Sequence, residues 1–282
     1  MAEIVAGFGM PHTPNFPAHV AREGPHCDVA RLYADVAKHL AAVAPDVLII
    51  FTDDHFNTFF LDNFPTFAVG IAEETAGPND QTPMPRYKVA IPGRLAAHIR
   101  TTAIAHGFDI ALVQDFEVDH AVLVPLHFLT PQMHIPVVPI FVDALAPPLP
   151  SARRCYALGE AVRAAVAEWD KPLRVAVIGS GSFSLEIGGP RIPRGERAAG
   201  FPDPEWTKHV QDLLVDARIA DLLAEATTAR MLRAGNIGGE LLNWIAMLGV
   251  IGVRKPTAMT PHPGNGHAFG VWRWSAAPAS EP

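Results

Sequence analysis

Seven short apolar runs set the strongest limit on the fold of this chain: Ile4–Phe8, Val47–Phe51, Phe67–Ile71, Ile110–Val113, Val137–Val142, Val175–Ile178 and Phe269–Trp274. Each has the length of a strand rather than of a helix, and several are rich in β-branched residues. Helical spacing appears between them. Tyr33, Val36, Ala37, Leu40 and Ala44 form one apolar stripe, and Cys155, Leu158, Gly159, Val162, Val166 and Trp169 form another. A third, Leu241, Trp244, Ile245 and Leu248, follows the acid Glu240. Strands alternating with helices predict an α/β layered sheet, and 282 residues at 49% hydrophobic content suit one domain, residues 1–282, with a substantial core.

Other features narrow the function. The net charge is -7, and the one dense basic stretch, Arg191 to Arg197, is interrupted by Pro193, Gly195 and Glu196, so nucleic acid is not an expected partner. No apolar stretch reaches the length of a membrane span, and the N-terminus lacks a basic leader-like segment, so no membrane partner is expected. Cys27 and Cys155 are two unclustered thiols, which suits a reducing cytoplasm and two small buried hydrophobes. The 27 prolines fall mostly between the predicted elements, notably at 78–85, 145–150 and 190–204, and imply long ordered loops.

The stretch VIGSGSFSLEIGGPR, 177–191, ends a predicted strand in glycines but lacks the Gly-Lys-Ser/Thr of a phosphate loop. Its tip carries Ser182, Phe183, Ser184 and Leu185, none of which holds a phosphate. The chemistry concentrates elsewhere. His12, in GFGMPHTP, and His55, in FTDDHFN, each follow a predicted strand, where ligand-binding residues of α/β sheets usually sit. Pro11 and Pro14 stiffen the first of these loops. Glu240 sits one turn before Trp244, at the margin of an apolar stripe, where an ionised carboxylate is costly unless paired or bound to a cation. Two imidazoles and one carboxylate are the donor set of the facial triad that binds non-haem Fe(II) and leaves open positions. The same residues are also compatible with hydrogen-bonded loop histidines and a helix-N-terminal acid. In VDHAVLVPLHFL, His120 follows Asp119 after a predicted strand, a suitable place for a proton donor, while His127 lies within an apolar segment.

Taken together, PHTP, DDHFNTFFLDNFPTFAVG, VDHAVLVPL, IPVVPIFVDALAPPLP, ALGEAVRAAV, GSGSFSLEIGGPR and GGELLNW, in that order, resemble the class III extradiol ring-cleaving dioxygenases. The resemblance covers most of the chain. It implies an α/β sandwich with a mixed central sheet and an active-site cleft at the strand ends. It makes His12, His55 and Glu240 the ligands of Fe(II), and His120 an acid-base residue beside the metal. The reaction implied is ring cleavage of a catechol-like or heteroaromatic vicinal diol, or an aminophenol, with incorporation of both atoms of O2. A homo-oligomer is expected, and some members of the family also need a small separate subunit.

One departure stands in the glycine-rich stretch. The family carries Ser-His there, the histidine serving as a base; this chain keeps Ser184 but has Leu185 in the histidine's place. Another residue has to supply the proton chemistry, His127, His262 or His267, or the substrate does not need it. Catalytic roles are therefore expected of His120, Ser184 and His127, and substrate contacts of Phe183, Leu185, Asn265 and His267. Carboxylate-binding relatives use small hydroxyl residues where this chain has Gly264, Asn265, Gly266 and His267. Two alternatives remain at this point, a Zn(II) hydrolase using the same donors and a non-catalytic binding subunit.

Overall fold

The computed structural model describes residues 1–188 and 199–274. The basic stretch Arg191 to Arg197 and the end of the 177–191 glycine-rich segment lie outside the described residues, as does much of the proline-rich 190–204 stretch. Along the chain run β1 (Ala2–Met10), α1 (Phe16–Glu23), α2 (Asp28–Val43), β2 (Val47–Thr52), β3 (Phe67–Gly70), β4 (Glu74–Gly77), β5 (Tyr87–Ala90), α3 (Gly93–Ala105), β6 (Ala111–Val113) and α4 (His120–Leu129). They are followed by β7 (Val137–Val142), α5 (Ala152–Glu168), β8 (Leu173–Ser180), β9 (Glu186–Ile187), β10 (Ala199–Gly200), α6 (Pro204–Val215), α7 (Ile219–Glu225) and α8 (Thr228–Arg233). A 3-10 turn (Gly238–Glu240) then leads into α9 (Leu241–Ile251), and the chain closes with the hairpin β11 (Ala258–His262) and β12 (His267–Arg273).

Eight strands form one mixed sheet in the order β11-β12-β1-β8-β2-β7-β3-β6. Its centre, β1-β8-β2-β7, is parallel. β12 joins β1 antiparallel, and β3 joins β7 antiparallel. Period-two alternation explains why the central strands read as continuous apolar runs, since both of their faces are covered. Val47, Ile49 and Phe51 of β2 face the core beneath α3, α5 and α9, while Leu48 and Ile50 face the core beneath α2 and α4. β8 alternates in the same way, with Val175 and Val177 on one side and Ala176 and Ile178 on the other. The expected α/β sandwich with a mixed sheet is the architecture observed.

Three details differ from the sequence reading. Every residue of α9 is buried, so the stripe beginning at Leu241 is part of an all-round apolar helix wedged between α5 and the sheet. Asp119 and His120 do not follow a strand directly; Asp119 caps α4, accepting the Ala121 amide, and His120 is the first residue of that helix. The run Ile110–Val113 yields only the short edge strand β6, whose Leu112 is exposed. Among the described residues no helix is long and apolar enough to cross a membrane.

Candidate metal centre

β1, β8 and β2 are parallel neighbours, so their carboxyl ends open at the same edge of the sheet. β1 delivers His12 two residues after Met10, and the Pro11 carbonyl is held by the buried Tyr33 hydroxyl. β2 runs into Asp53, Asp54 and His55. β8 ends at Ser180 and passes into Gly181 and Ser182. The glycines of this last stretch serve a backbone purpose rather than a phosphate. A Cβ on Gly179 would come within 2.9 Å of the Trp244 backbone, and one on Gly181, whose φ is +152°, would lie 2.6 Å from Glu240. Their absence of side chains lets the start of α9 settle directly on the strand ends, and that contact brings Glu240 to the two histidines.

The cluster is buried and its hydrogen bonds fix where protons sit. The Ser180 hydroxyl donates to the Ala121 carbonyl at 3.0 Å, so it accepts from His12 Nδ1 at 2.8 Å. With Nδ1 protonated, His12 Nε2 is the nitrogen that faces Glu240 Oε1, 3.0 Å away. His55 is oriented in the same manner, with Nδ1 3.1 Å from Asp119 Oδ2 and Nε2 3.6 Å from Glu240 Oε1. Asp119 thus works twice: Oδ1 caps α4, while Oδ2 accepts from the His55 amide and ring. Glu240 Oε2 accepts the Ser182 amide. Beneath them, Asp53 Oδ1 accepts from Asn243, but its Oδ2 has no hydrogen-bond partner and lies 3.5 Å from His55 Nε2.

Charge follows this geometry. Burial opposes a charged His12, but Glu240 and Asp53 outweigh it and raise its pKa; His55 is raised further by Asp53, Asp119 and Glu240 acting against its burial. Burial pushes Asp53 up to about 6, with His55 acting the other way. For Glu240 the attraction of His12 and His55 overcomes burial and brings the carboxyl down to about 2. Asp119 lies well below the usual carboxylate range because bonds and charge from His55 and His120 defeat its desolvation. Two carboxylates, neither more than 1% exposed, beside two imidazole Nε2 atoms form a pocket that calls for positive charge. His12, Asp53, His55 and Glu240 each place a donor atom within 4.8 Å of the others, the separation and chemistry a divalent metal ion requires of N/O ligands. The residues fit a metal.

His120 stands beside this centre. Its ring lies 4.3 Å from that of His55 and 5.6 Å from that of His12, centroid to centroid. Its Nδ1 is bonded to Asp80 Oδ2, which leaves Nε2 as the nitrogen available towards the centre. Burial and the neighbouring His55 lower the His120 pKa, with Asp80 opposing them.

The structure thus gathers His12, His55, His120 and Glu240. It gives other places to four of the remaining expected residues. Phe183 is fully buried, edge-on to Trp244 at 4.7 Å, a core position rather than a pocket wall. The Ser184 hydroxyl is engaged by backbone, donating to the Ala234 carbonyl and accepting the Asp203 amide. His127 lies at the far end of α4 with Nδ1 2.6 Å from the Tyr87 hydroxyl. Leu185 is buried, and its carbonyl accepts the Ile237 amide. Asn265 and His267 line a cavity of about 290 Å³ that also touches Thr13, the residue after His12.

Sequence reasoning missed Asp53, Asp80, Ser180 and Asn243. Asp53 stands in full view in TDDH, at the same strand end as His55; its position was the available signal. Asp80 is 40 residues from His120, in a proline-rich loop, and no local spacing links them.

Residues 6–271 match the family model described as the catalytic LigB subunit of aromatic ring-opening dioxygenase, and the chain belongs to that family. It is 28% identical over 270 residues to a 2,3-dihydroxyphenylpropionate/2,3-dihydroxicinnamic acid 1,2-dioxygenase of Paraburkholderia xenovorans, covering 83% of this chain and 84% of that protein. It is 37% identical over 202 residues to a protein of the same description, numbered 2, from Dechloromonas aromatica, covering 68% of this chain and 62% of that one. A gallate dioxygenase of Pseudomonas putida is 32% identical over 185 residues, 64% of this chain and 50% of its own length. The crystal structure of an uncharacterized protein from Escherichia coli K12 shares the fold, with a TM-score of 0.53 at 15% identity, over 95% of this chain and 98% of that one.

Proposed function

We propose that this chain is an extradiol-type dioxygenase that holds Fe(II) on His12, His55 and Glu240 and opens the ring of a catechol-like or heteroaromatic vicinal diol, both atoms of O2 entering the product. The observation that carries this reading is the convergence of His12 Nε2 and His55 Nε2 on one buried carboxylate oxygen, 3.0 and 3.6 Å away, with the opposite ring nitrogens engaged by Ser180 and Asp119. When bound, Fe(II) would supply the redox chemistry and acidify the diol.

The residues of the chain prepare the rest. Ser180 and Asp119 keep the two imidazoles in the Nδ1-protonated tautomer, so both Nε2 lone pairs remain available to a cation. Asp53 adds a second buried carboxylate beside Glu240, so two negative charges face the position a dication would take. His120 is the proton-moving group. Asp80 fixes its Nδ1, and burial keeps the imidazole neutral near pH 7, so Nε2 can take a proton from a diol hydroxyl and return it to the opening ring. Apolar packing of α9 excludes bulk water from beneath the site.

The test combines metal analysis of anaerobically purified protein with oxygen uptake against catechols, aminophenols and dihydroxypyridines. Stoichiometric iron and uptake equal to diol consumed support the reading. Bound zinc with no uptake on any diol after Fe(II) reconstitution overturns it.

A further inference from the structure

Asp53 is fully buried just past the end of β2, two residues before His55, and only half of its carboxylate is engaged. Oδ1 accepts from the Asn243 side chain at 2.9 Å. The same amide nitrogen donates to the Ser180 carbonyl at 2.8 Å, so the Asp53 carboxylate is oriented from α9, the helix that Glu240 leads into. Oδ2 has no hydrogen-bond partner among the described residues. His55 Nε2 lies 3.5 Å from it, at the outer limit of a hydrogen bond. With the His55 proton on Nδ1, towards Asp119, that nitrogen presents a lone pair to the carboxylate rather than a donor. A buried carboxylate oxygen in such a place is costly unless a cation lies beside it.

The other carboxylates around the centre do not share this feature. Asp119 has both oxygens engaged, by the Ala121 amide and by His55, and Asp80 is bonded to the Thr82 amide and to His120. Asp54 accepts the amides of Asn57, Thr58 and Phe59. Asp53 alone among them turns a free oxygen to the two imidazoles. Its carboxylate is 4.0 Å from His12 Nε2 through Oδ1 and 3.5 Å from His55 Nε2 through Oδ2, and Glu240 Oε1 is 3.0 and 3.6 Å from the same two nitrogens. Donor atoms that each lie about 2.0–2.2 Å from one ion stand about 3–4 Å from one another, which is the spacing of this set.

We infer that Asp53 Oδ2 is a fourth metal donor, so that the substrate-free protein holds its divalent ion with two imidazoles and two carboxylates rather than with His12, His55 and Glu240 alone. The donor count selects among ions. Four protein donors close a tetrahedral zinc site, whose catalytic form keeps one position open, whereas an ion that accepts six donors, such as Fe(II) or Mn(II), still has two positions free. The cation this site suits is a six-coordinate divalent metal of the first transition row.

The inference rests on the Fe(II) reading for the ion, and its measurements need no turnover. A crystal structure of the wild-type protein loaded anaerobically with Fe(II), or with Mn(II) as a redox-stable substitute, should place Asp53 Oδ2 within about 2.5 Å of the ion. An ion held by His12, His55 and Glu240 with Oδ2 farther away overturns the inference. The second measurement uses Asp53→Asn, which can keep the Asn243 bond through its oxygen and then turns an amide nitrogen without a lone pair to the ion. Chelator competition should show Mn(II) binding weakened by more than about tenfold. The electron paramagnetic resonance spectrum of bound Mn(II) should change as well, because it responds to the donor atoms themselves rather than to a charge farther out. An unchanged spectrum in folded Asp53→Asn protein overturns the inference whatever the affinity. Asp53 on the ion without oxygen uptake on any diol would support this donor and sink the dioxygenase reading alone; uptake with Asp53 off the ion would do the reverse.

Discussion

The candidate metal centre and the β11–β12 hairpin both gather histidines, buried at His12 and His267 and half-buried at His55 and His262, yet they are held to different degrees. At the centre each ring nitrogen has an assigned neighbour: His12 has Ser180 and Glu240, and His55 has Asp119 on one side and Asp53 with Glu240 on the other. On the hairpin, His262 has a side-chain partner at each nitrogen, Asn265 and His267, while His267 has one at Nε2. Imidazoles fixed at both nitrogens are set for one chemistry whatever the ring that binds. Changes in the centre should therefore abolish or slow the reaction on every diol, and changes on the hairpin should leave the metal in place.

The largest effect should come from Glu240. Glu240→Gln keeps the shape but removes the charge on which both Nε2 atoms converge, and metal retention should fall by more than about a hundredfold, beyond what loss of an outer partner causes. Activity should fall to background. Metal content by mass spectrometry and oxygen uptake measure both, and a variant with full metal and full turnover would remove Glu240 from the ligands. Next in size is His120→Ala, which should retain metal and slow turnover by about a hundred- to ten-thousandfold on every substrate alike. Loss of metal from a folded His120→Ala protein would instead make His120 a ligand.

How much of this was legible beforehand differs between the two regions for a physical reason. His12 and His55 could be found because the ends of parallel strands share one edge of the sheet, so two histidines placed just after apolar runs are brought together by topology alone. The same rule applied to Asp53 would have added it. Glu240 was visible as a carboxylate at an apolar margin, although α9 is buried on all sides rather than along one stripe. Asp80, Ser180 and Asn243 were hidden because they act through side-chain bonds between distant segments, for which no sequence period exists. For Ser184 and Phe183, position in a family stretch suggests chemistry, while the fold engages the hydroxyl of Ser184 with the backbone of 203 and 234 and packs Phe183 on Trp244.

Asp119→Asn should produce an intermediate effect. The amide can still cap α4 through its oxygen, but its second terminus can no longer accept from both the His55 amide and the His55 ring. Metal affinity should drop by about ten- to a hundredfold, as expected for a partner that orients a ligand. Stability should change by at most about 1 kcal/mol, because the cap survives. Chelator competition and thermal unfolding separate the two. A fall in stability with unchanged metal affinity would confine Asp119 to the helix.

The smallest and most selective effect is expected at Leu185, which lies where the two regions meet. Its backbone is fixed by the Ile237 amide and by Gly235, which packs against it so closely that a Cβ there would come within 1.9 Å of the Leu185 carbonyl. A histidine at 185 would therefore inherit a defined backbone. A catechol must lose at least one proton on binding, and an electron-poor diol such as a dihydroxypyridine loses it more readily, so the absence of a base at this position penalises electron-rich rings most. A leucine side chain is also apolar and offers no partner to a carboxylate placed near it. The wild-type protein should turn over protocatechuate poorly, and Leu185→His should raise kcat/KM for electron-rich catechols several-fold relative to electron-poor ones, on the order of 1 kcal/mol of differential transition-state binding. Steady-state oxygen uptake on matched pairs of diols reads this ratio directly. Efficient wild-type turnover of protocatechuate with an unchanged ratio in Leu185→His would place residue 185 outside the reaction.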